Sequence, residues 1–268
     1  MESTFYTNEP VVNMRQYPTH TSKVVSQTIF AEKITIQDKN GDWICIITSD
    51  GYTGWVPKSS IIECKKPYEP SLKTSRLASH IYEVKDNEYG PIKILPFGSS
   101  LHTLDLNDPR WIKVLLPDGL EGYIQKGDVT FEKSLSHKNE LALFSQKFLG
   151  LPYTWGGRSS FGYDCSGFIQ MLYSQISISL QRDAKQQILD SRFKNIPIEQ
   201  IQSGDLIFWG KSQETISHVG MSVGEGNFIH SVAIENKPWI RISTLSDPEW
   251  IENSPSRLYR EIRQLISR

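Results

Sequence analysis

Over the first half of the chain, apolar residues come in short runs separated by turn signals; in parts of the second half they recur at helical spacing. Written without gaps, Trp43 to Ile61 (WICIITSDGYTGWVPKSSI) lies over Trp111 to Val129 (WIKVLLPDGLEGYIQKGDV), with Trp, Ile, Asp, Gly, Gly and Lys matching at a constant offset. Each copy reads as an apolar strand, a turn at Asp50-Gly51 or Asp118-Gly119, and a second strand carrying Gly54-Trp55 or Gly122-Tyr123. That is the pattern of a β-hairpin within a small barrel. The stretch Lys65 to Pro70 (KKPYEP), with two prolines and charged residues that cannot continue a central strand, reads as the seam between the copies.

After Phe131 the period changes. Leu141, Phe144, Phe148 and Leu149 fall at helical spacing, which predicts a helix from about Lys138 to Leu149, stopped by Gly150 and Pro152. A Gly-rich loop then leads to Asp164, placed to cap a second helix whose apolar residues are Phe168, Ile169 and Leu172. The run Ser217 to Ser231 (SHVGMSVGEGNFIHS) reads as two strands around Gly224-Glu225-Gly226. If those three residues form the loop and Val223 faces Asn227, position 218 faces 232, and His230 lies diagonally beside His218 on one face. A loop one residue longer or shorter would put the two histidines on opposite faces.

The 268 residues carry 29 Lys+Arg against 30 Asp+Glu, a net charge of −1, with 38% hydrophobic residues. This is the composition of a soluble globular protein of one to three domains. No basic cluster offers a footprint for nucleic acid. No apolar stretch is long enough to span a bilayer and the first ten residues do not read as a secretion signal, so the expectation is a cytoplasmic protein without nucleic-acid or membrane partners. Oligomeric state is left open. Three widely spaced cysteines, Cys45, Cys64 and Cys165, do not form a disulfide framework.

Of these, Cys165 stands in the first turn of the helix capped by Asp164, where the helix dipole and unpaired N–H groups favour a thiolate and can receive an oxyanion. Cys45, between Ile44 and Ile46, reads as a small packing residue. A nucleophilic cysteine needs a base, and in the favourable register His218 meets Cys165 while His230 orients the second ring nitrogen of His218. Structural histidines are the plain alternative. Zinc held by Cys165, His218 and His230 is disfavoured because no close ligand pair such as CxxC or HExxH is present.

The blocks DCSGF at Asp164 to Phe168, HVGM at His218 to Met221 and IHS at Ile229 to Ser231, with GDLIF at Gly204 to Phe208 between them, resemble the papain-like NlpC-type cysteine peptidases. The two hairpin units resemble bacterial SH3-like domains. The fold class implied is multidomain: two small all-β SH3-like barrels (residues 1–66 and 67–133) followed by an α+β papain-like domain (134–268). The whole arrangement is similar to that of the γ-D-glutamyl-L-diamino acid dipeptidyl-peptidases. That resemblance implies hydrolysis of peptidoglycan-derived peptides with a free N-terminal L-Ala, without metal or organic cofactor, for cell-wall peptide recycling. It assigns Asp183, in LQRDAKQQ, to the substrate amine, Tyr52, in DGYTGW, to the same pocket, and Trp155, Asp164 and Ser166 to the cleft. Tyr52 has Leu120 at the equivalent position of the second copy; packing on its own barrel is its structural alternative, and pairing with Arg182 or a nearby lysine is that of Asp183. Two other functional classes stay open at this point, a non-catalytic wall-peptide binder and a papain-like amidase or acyltransferase. Whether the third substrate residue is meso-diaminopimelate or L-lysine is also open.

Overall fold

The structure is a computed structural model that describes residues 4–64, 68–131, 135–234, 236–250 and 259–266. The chain divides into two compact units. One is Met1–Lys133 with the short segment Arg158–Phe161, and the other is Ser134–Gly157 with Gly162–Arg268. The expected boundaries at 66/67 and 133/134 fall outside the described residues.

In the first unit, both repeated hairpins close in the same register. Cys45 pairs with Trp55 and Ile46 with Gly54, while Lys113 pairs with Tyr123 and Val114 with Gly122. Gly51 (φ +80°) and Gly119 (φ +85°) make the turns from the left-handed region that favours glycine. The second glycine of each copy is required by close packing. A Cβ on Gly54 would stand 2.9 Å from that of Met14, and one on Gly122 would stand 2.6 Å from Ile81. Each copy ends in a short 3-10 turn, Lys58–Ser60 or Lys126–Asp128, before a further strand. Strand order is Val24–Ile29, Val11–Arg15, Thr53–Pro57, Trp43–Ile47, Lys33–Asn40, Thr4–Thr7 and Ile61–Cys64 in the first sheet. In the second it is Glu121–Gln125, Trp111–Leu115, Ser100–Asp105, Leu72–Thr74 and Val129–Thr130.

Tyr68, in the stretch read as an exposed seam, is buried in a core shared with Tyr6, Phe30, Leu72, Leu101 and Ile112. Its hydroxyl donates to the Leu115 carbonyl (3.1 Å) and accepts from the His102 N–H (3.1 Å), satisfying the polar tip of a buried ring. The segment Arg158–Phe161 is tied into this unit. Arg158 donates from its backbone to Gln27 Oε1 (2.9 Å) and from its guanidinium to the Gln27 carbonyl (2.8 Å), with Glu32 at 3.3 Å and Asp50 at 3.7 Å.

The second unit is built on a six-stranded antiparallel sheet. Its order is Phe193–Ile196, Tyr259–Leu265, Leu206–Gly210, Ile216–Gly224, Asn227–Ser231, Ile240–Thr244. All five residues of the central strand Leu206–Gly210 are buried, as a strand covered on both faces requires. One cluster gathers Ile207, Trp209, Phe228, Trp250 and Ile262. Helix α1 (Lys138–Ser145) passes into a 3-10 turn, Gln146–Phe148, before Gly150 at φ +83°. That tighter final turn leaves Leu149 exposed, contrary to its place in the helical pattern. Helix α2 (Cys165–Ser174) packs against the strands Ile216–Gly224 and Asn227–Ser231, and α3 (Ala184–Gln187) is a single turn. The GDLIF block joins these layers: the fully buried Asp205 pairs with Lys138 of α1 and accepts from the Gln202 N–H (2.8 Å) and from Gln264 (3.1 Å). No helix among the described residues is long and apolar enough to cross a membrane.

Candidate active site

Cys165 opens α2, and the residue before it is the cap. Asp164 Oδ1 accepts the Gly167 N–H at 2.7 Å, satisfying one of the orphan donors of the first turn. The Gly-rich loop lies against that turn. The Asp164 N–H donates to the Gly157 carbonyl (3.1 Å), and a Cβ on Gly167 would come within 2.1 Å of the same oxygen. The glycines therefore permit close backbone contact, and no phosphate needs to be invoked.

The two histidines come from neighbouring strands. Met221 pairs with Ile229 and Ser222 with Phe228, the register that sets 218 opposite 232 and puts His230 diagonally beside His218. The route to this register differs from the expected one. The turn has two residues, Glu225 (φ +54°) and Gly226 (φ +73°), and a bulge before Gly224 absorbs the extra residue. His218 Nε2 and His230 Nδ1 stand 2.8 Å apart, and His230 Nε2 lies 3.0 Å from Ser243 Oγ. By the same register Gly220 faces His230, and a Cβ there would come within 3.0 Å of the Phe228 ring and 3.3 Å of the His230 Cβ. This accounts for the glycine of HVGM. The serine of IHS donates from Oγ to the Tyr163 carbonyl at 2.7 Å, fastening the strand to the chain just before α2.

Trp250 packs edge-on to His230 (4.5 Å between centroids) and at 5.1 Å from His218, with Trp209 at 5.6 Å from His218. Fixed in this aromatic box, the dyad's hydrogen bonding assigns roles to the ring nitrogens. For His218 Nδ1 to take a proton, Nε2–H must donate to His230 Nδ1, and His230 Nε2–H must then donate to Ser243 Oγ.

Around Cys165 the electrostatics depart from the simple helix-dipole expectation. Burial pushes the Cys165 thiol up to about 12, and the Asp164 carboxylate adds to that. The Val219 N–H, Arg182 and the Ser166 N–H act in the opposite direction. Because the Val219 N–H reaches the sulfur, the strand carrying His218 borders Cys165. Burial thus opposes the thiolate that the first turn of the helix favours.

Asp164 and Ser166, expected to line the cleft, are both turned towards Arg182. Its Nη1 donates to Asp164 Oδ1 (3.0 Å) and Ser166 Oγ (2.9 Å), and its Nη2 donates to Asp164 Oδ2 (2.5 Å). Arg182 therefore pairs with Asp164, and Asp183 has Lys185 at 3.9 Å and precedes α3 as its cap residue. Trp155 is 58% exposed on the loop before Cys165. Tyr52 belongs to the first unit, where, like Phe5, Val25 and Ile36, it packs against the core of the first barrel.

Sequence reasoning did not single out Arg182, Tyr153, Ser243 or Trp250 for the site. Tyr153 is half-buried, and its hydroxyl is raised first by burial, then by Cys165 and Asp164, which puts the phenol in the field of the Cys165 sulfur. Its place two residues before Trp155 in the Gly-rich loop was the only available signal. Among the described residues no three His, Cys, Asp or Glu side chains are grouped as metal ligands.

Residues 150–256 match the NlpC/P60 family, and residues 10–62 match the bacterial SH3 domain. The chain is 29% identical over 266 residues to a protein of Bacillus cereus named gamma-D-glutamyl-L-lysine dipeptidyl-peptidase, covering 92% of this chain and 78% of that one. A Bacillus subtilis protein of the same name is 29% identical over 223 residues, covering 78% and 72%. The crystal structure of an NlpC/P60 family protein from Bacillus cereus ATCC 10987 superposes with a TM-score of 0.85 at 24% identity, covering 99% of this chain and all of that one, and so shares its fold.

Proposed function

We propose that this chain, an NlpC/P60-family cysteine peptidase with SH3-like units ahead of the peptidase domain, cleaves the bond between γ-D-Glu and an L-diamino acid in peptidoglycan-derived peptides. The observation that carries the chemistry is the His218–His230 pair at 2.8 Å, with His218 on the strand whose Val219 N–H meets the sulfur at the start of a capped helix. L-Lysine is the diamino acid favoured by the names of the two Bacillus relatives.

In the proposed mechanism, His218 Nδ1 takes the Cys165 proton as the sulfur attacks the γ-carbonyl of D-Glu. The raised thiol makes this transfer part of the attack or of a thiolate–imidazolium pair, rather than a gift of the helix dipole. The Cys165 N–H holds the tetrahedral oxyanion, and we assign the second donor to the Tyr153 hydroxyl. His218 then returns its proton to the departing amine and activates water, which releases L-Ala-D-Glu from the thioester. The hydrogen bond to His230 keeps the His218 ring in the working tautomer throughout.

We further propose that the substrate carries a free N-terminal L-Ala, with Asp183 taking its ammonium; a carboxylate in a partly dry site is suited to a cation. Short free-amine peptides fit salvage of wall fragments in the cytoplasm rather than cutting of intact wall. The test is mass spectrometry of L-Ala-γ-D-Glu-L-Lys, its meso-diaminopimelate analogue and N-acetylated forms after incubation with the enzyme. Release of L-Ala-D-Glu from the free-amine peptides alone is the expected result. Equal cleavage of the acetylated forms would remove amine recognition, and no cleavage of any would overturn the peptidase substrate proposed.

A further inference from the structure

The catalytic helix presents an electrostatic conflict. Asp164 caps α2 through Gly167 (2.7 Å), which places a carboxylate on the residue next to Cys165, where negative charge opposes formation of a thiolate. A serine or threonine could cap the same helix without charge. The structure resolves the conflict with Arg182, which is 1% exposed and bridges both carboxylate oxygens, Nη1 to Oδ1 at 3.0 Å and Nη2 to Oδ2 at 2.5 Å. Its third contact, Nη1 to Ser166 Oγ at 2.9 Å, reaches past the nucleophile to the residue on its other side.

The arginine is itself held in place. Gln170 of α2 donates to the Leu180 carbonyl (3.0 Å), and Gln187 donates to the carbonyls of Gln181 (2.8 Å) and Ser166 (3.1 Å). The segment 180–182 is thus laced to the first turns of α2 from both sides, and a planar guanidinium meets a carboxylate in paired geometry away from water.

We propose that Arg182 is a positioning residue for the nucleophile: by cancelling the charge of Asp164, it lets a carboxylate cap the helix without that charge adding to the burial that already opposes a thiolate at Cys165. The proposal rests on Cys165 being the nucleophile. Among the described residues, the charged and titratable groups that act on the sulfur are Asp164 at the start of its own helix, Arg182 with Asp183 behind it, and Tyr153 on the preceding loop, while His218 adjoins Val219, whose N–H meets the sulfur. Of these, Asp164 raises the thiol and Arg182 lowers it, so removing either partner alone moves Cys165 in opposite directions.

The experiment is the pH dependence of iodoacetamide alkylation of Cys165 in the full chain, read by peptide mass spectrometry, for wild type, Arg182→Gln, Asp164→Asn and the double variant. Asparagine retains an oxygen to accept the Gly167 N–H, so the cap survives. Arg182→Gln is expected to shift the profile about one unit to higher pH, a roughly tenfold loss of reactivity below the midpoint. Asp164→Asn is expected to shift it to lower pH, and the double variant to return close to wild type. Profiles that superimpose in all folded variants would show a purely structural pair and overturn the proposal. If Arg182→Gln does not fold, Asp164→Asn against the double variant decides the matter, since both lack the carboxylate and differ in the guanidinium. Alkylation needs no peptide, so failure of the substrate assignment leaves this readout intact.

Discussion

Replacing His230 with Phe isolates the hydrogen bond that sets the tautomer of His218. The substitution keeps an aromatic ring against Trp250 (4.5 Å) and Phe228 (4.7 Å), so packing in this fully buried position is largely preserved. What disappears is the acceptor 2.8 Å from His218 Nε2. When His218 carries the Cys165 proton, that bond is charge-assisted and worth about 1.5–3 kcal/mol. Because it is strongest when the imidazolium forms, its loss falls on the reaction barrier, and about 1.4 kcal/mol per decade converts it to a roughly ten- to hundredfold fall in kcat. KM should hold, because His230 does not reach the cleft. His230→Asn, whose Oδ1 stands about where the imidazole Nδ1 stood, should recover part of the loss. The assay is steady-state release of L-Ala-D-Glu, run below the melting temperature of each variant. A His230→Phe enzyme within twofold of wild-type kcat would refute the orienting role.

Other consequences follow from the same geometry. Ser243→Ala leaves the buried His230 Nε2–H without its 3.0 Å acceptor and should cost about 1–3 kcal/mol in denaturant stability, with a smaller kcat effect than His230→Phe. Gly167→Ala would ordinarily favour a helix, yet its Cβ meets the Gly157 carbonyl at 2.1 Å; the expected result is destabilisation by about 1–3 kcal/mol and a displaced Cys165, seen as a lower urea midpoint and slower alkylation. Trp250→Ala empties a fully buried site behind both imidazoles and should cost about 3–5 kcal/mol, read as a fall in melting temperature. In His218→Gln the Cys165 thiol, raised by burial, is left without the imidazole that would take its proton, so alkylation should be slow at pH 7 and climb only in the alkaline range. Wild type should already react at neutral pH, and equal rates at pH 7 would contradict the pairing.

Local rules reached far into this chain where the relevant residues are close in sequence. The repeated Asp-Gly turns, the Asp164 cap and the helix beginning at Cys165 each depend on a few neighbouring positions, and all appear in the structure. The histidine register was also legible, although by compensation: Glu225-Gly226 made a shorter turn than expected and the bulge before Gly224 restored the pairing. What escaped were partners chosen by tertiary packing. Arg182 reaches Asp164 across 18 positions, Ser243 reaches His230 across 13, and Tyr68 enters a core assembled from distant strands. No spacing or periodicity encodes such pairs. The thiol's elevation was hidden for a related reason, because burial around Cys165 is a property of the packed domain and outweighs the local helix terminus.

The central claim is that Cys165 forms a thioester with the γ-carbonyl of D-Glu. Its most direct test is intact-protein mass spectrometry of enzyme acid-quenched during turnover of L-Ala-γ-D-Glu-L-Lys, followed by peptide mapping. The account predicts an L-Ala-γ-D-glutamyl adduct on the Cys165 peptide and neither adduct nor product with Cys165→Ala. Continued release of L-Ala-D-Glu by Cys165→Ala, or an adduct mapped to another residue, would contradict it.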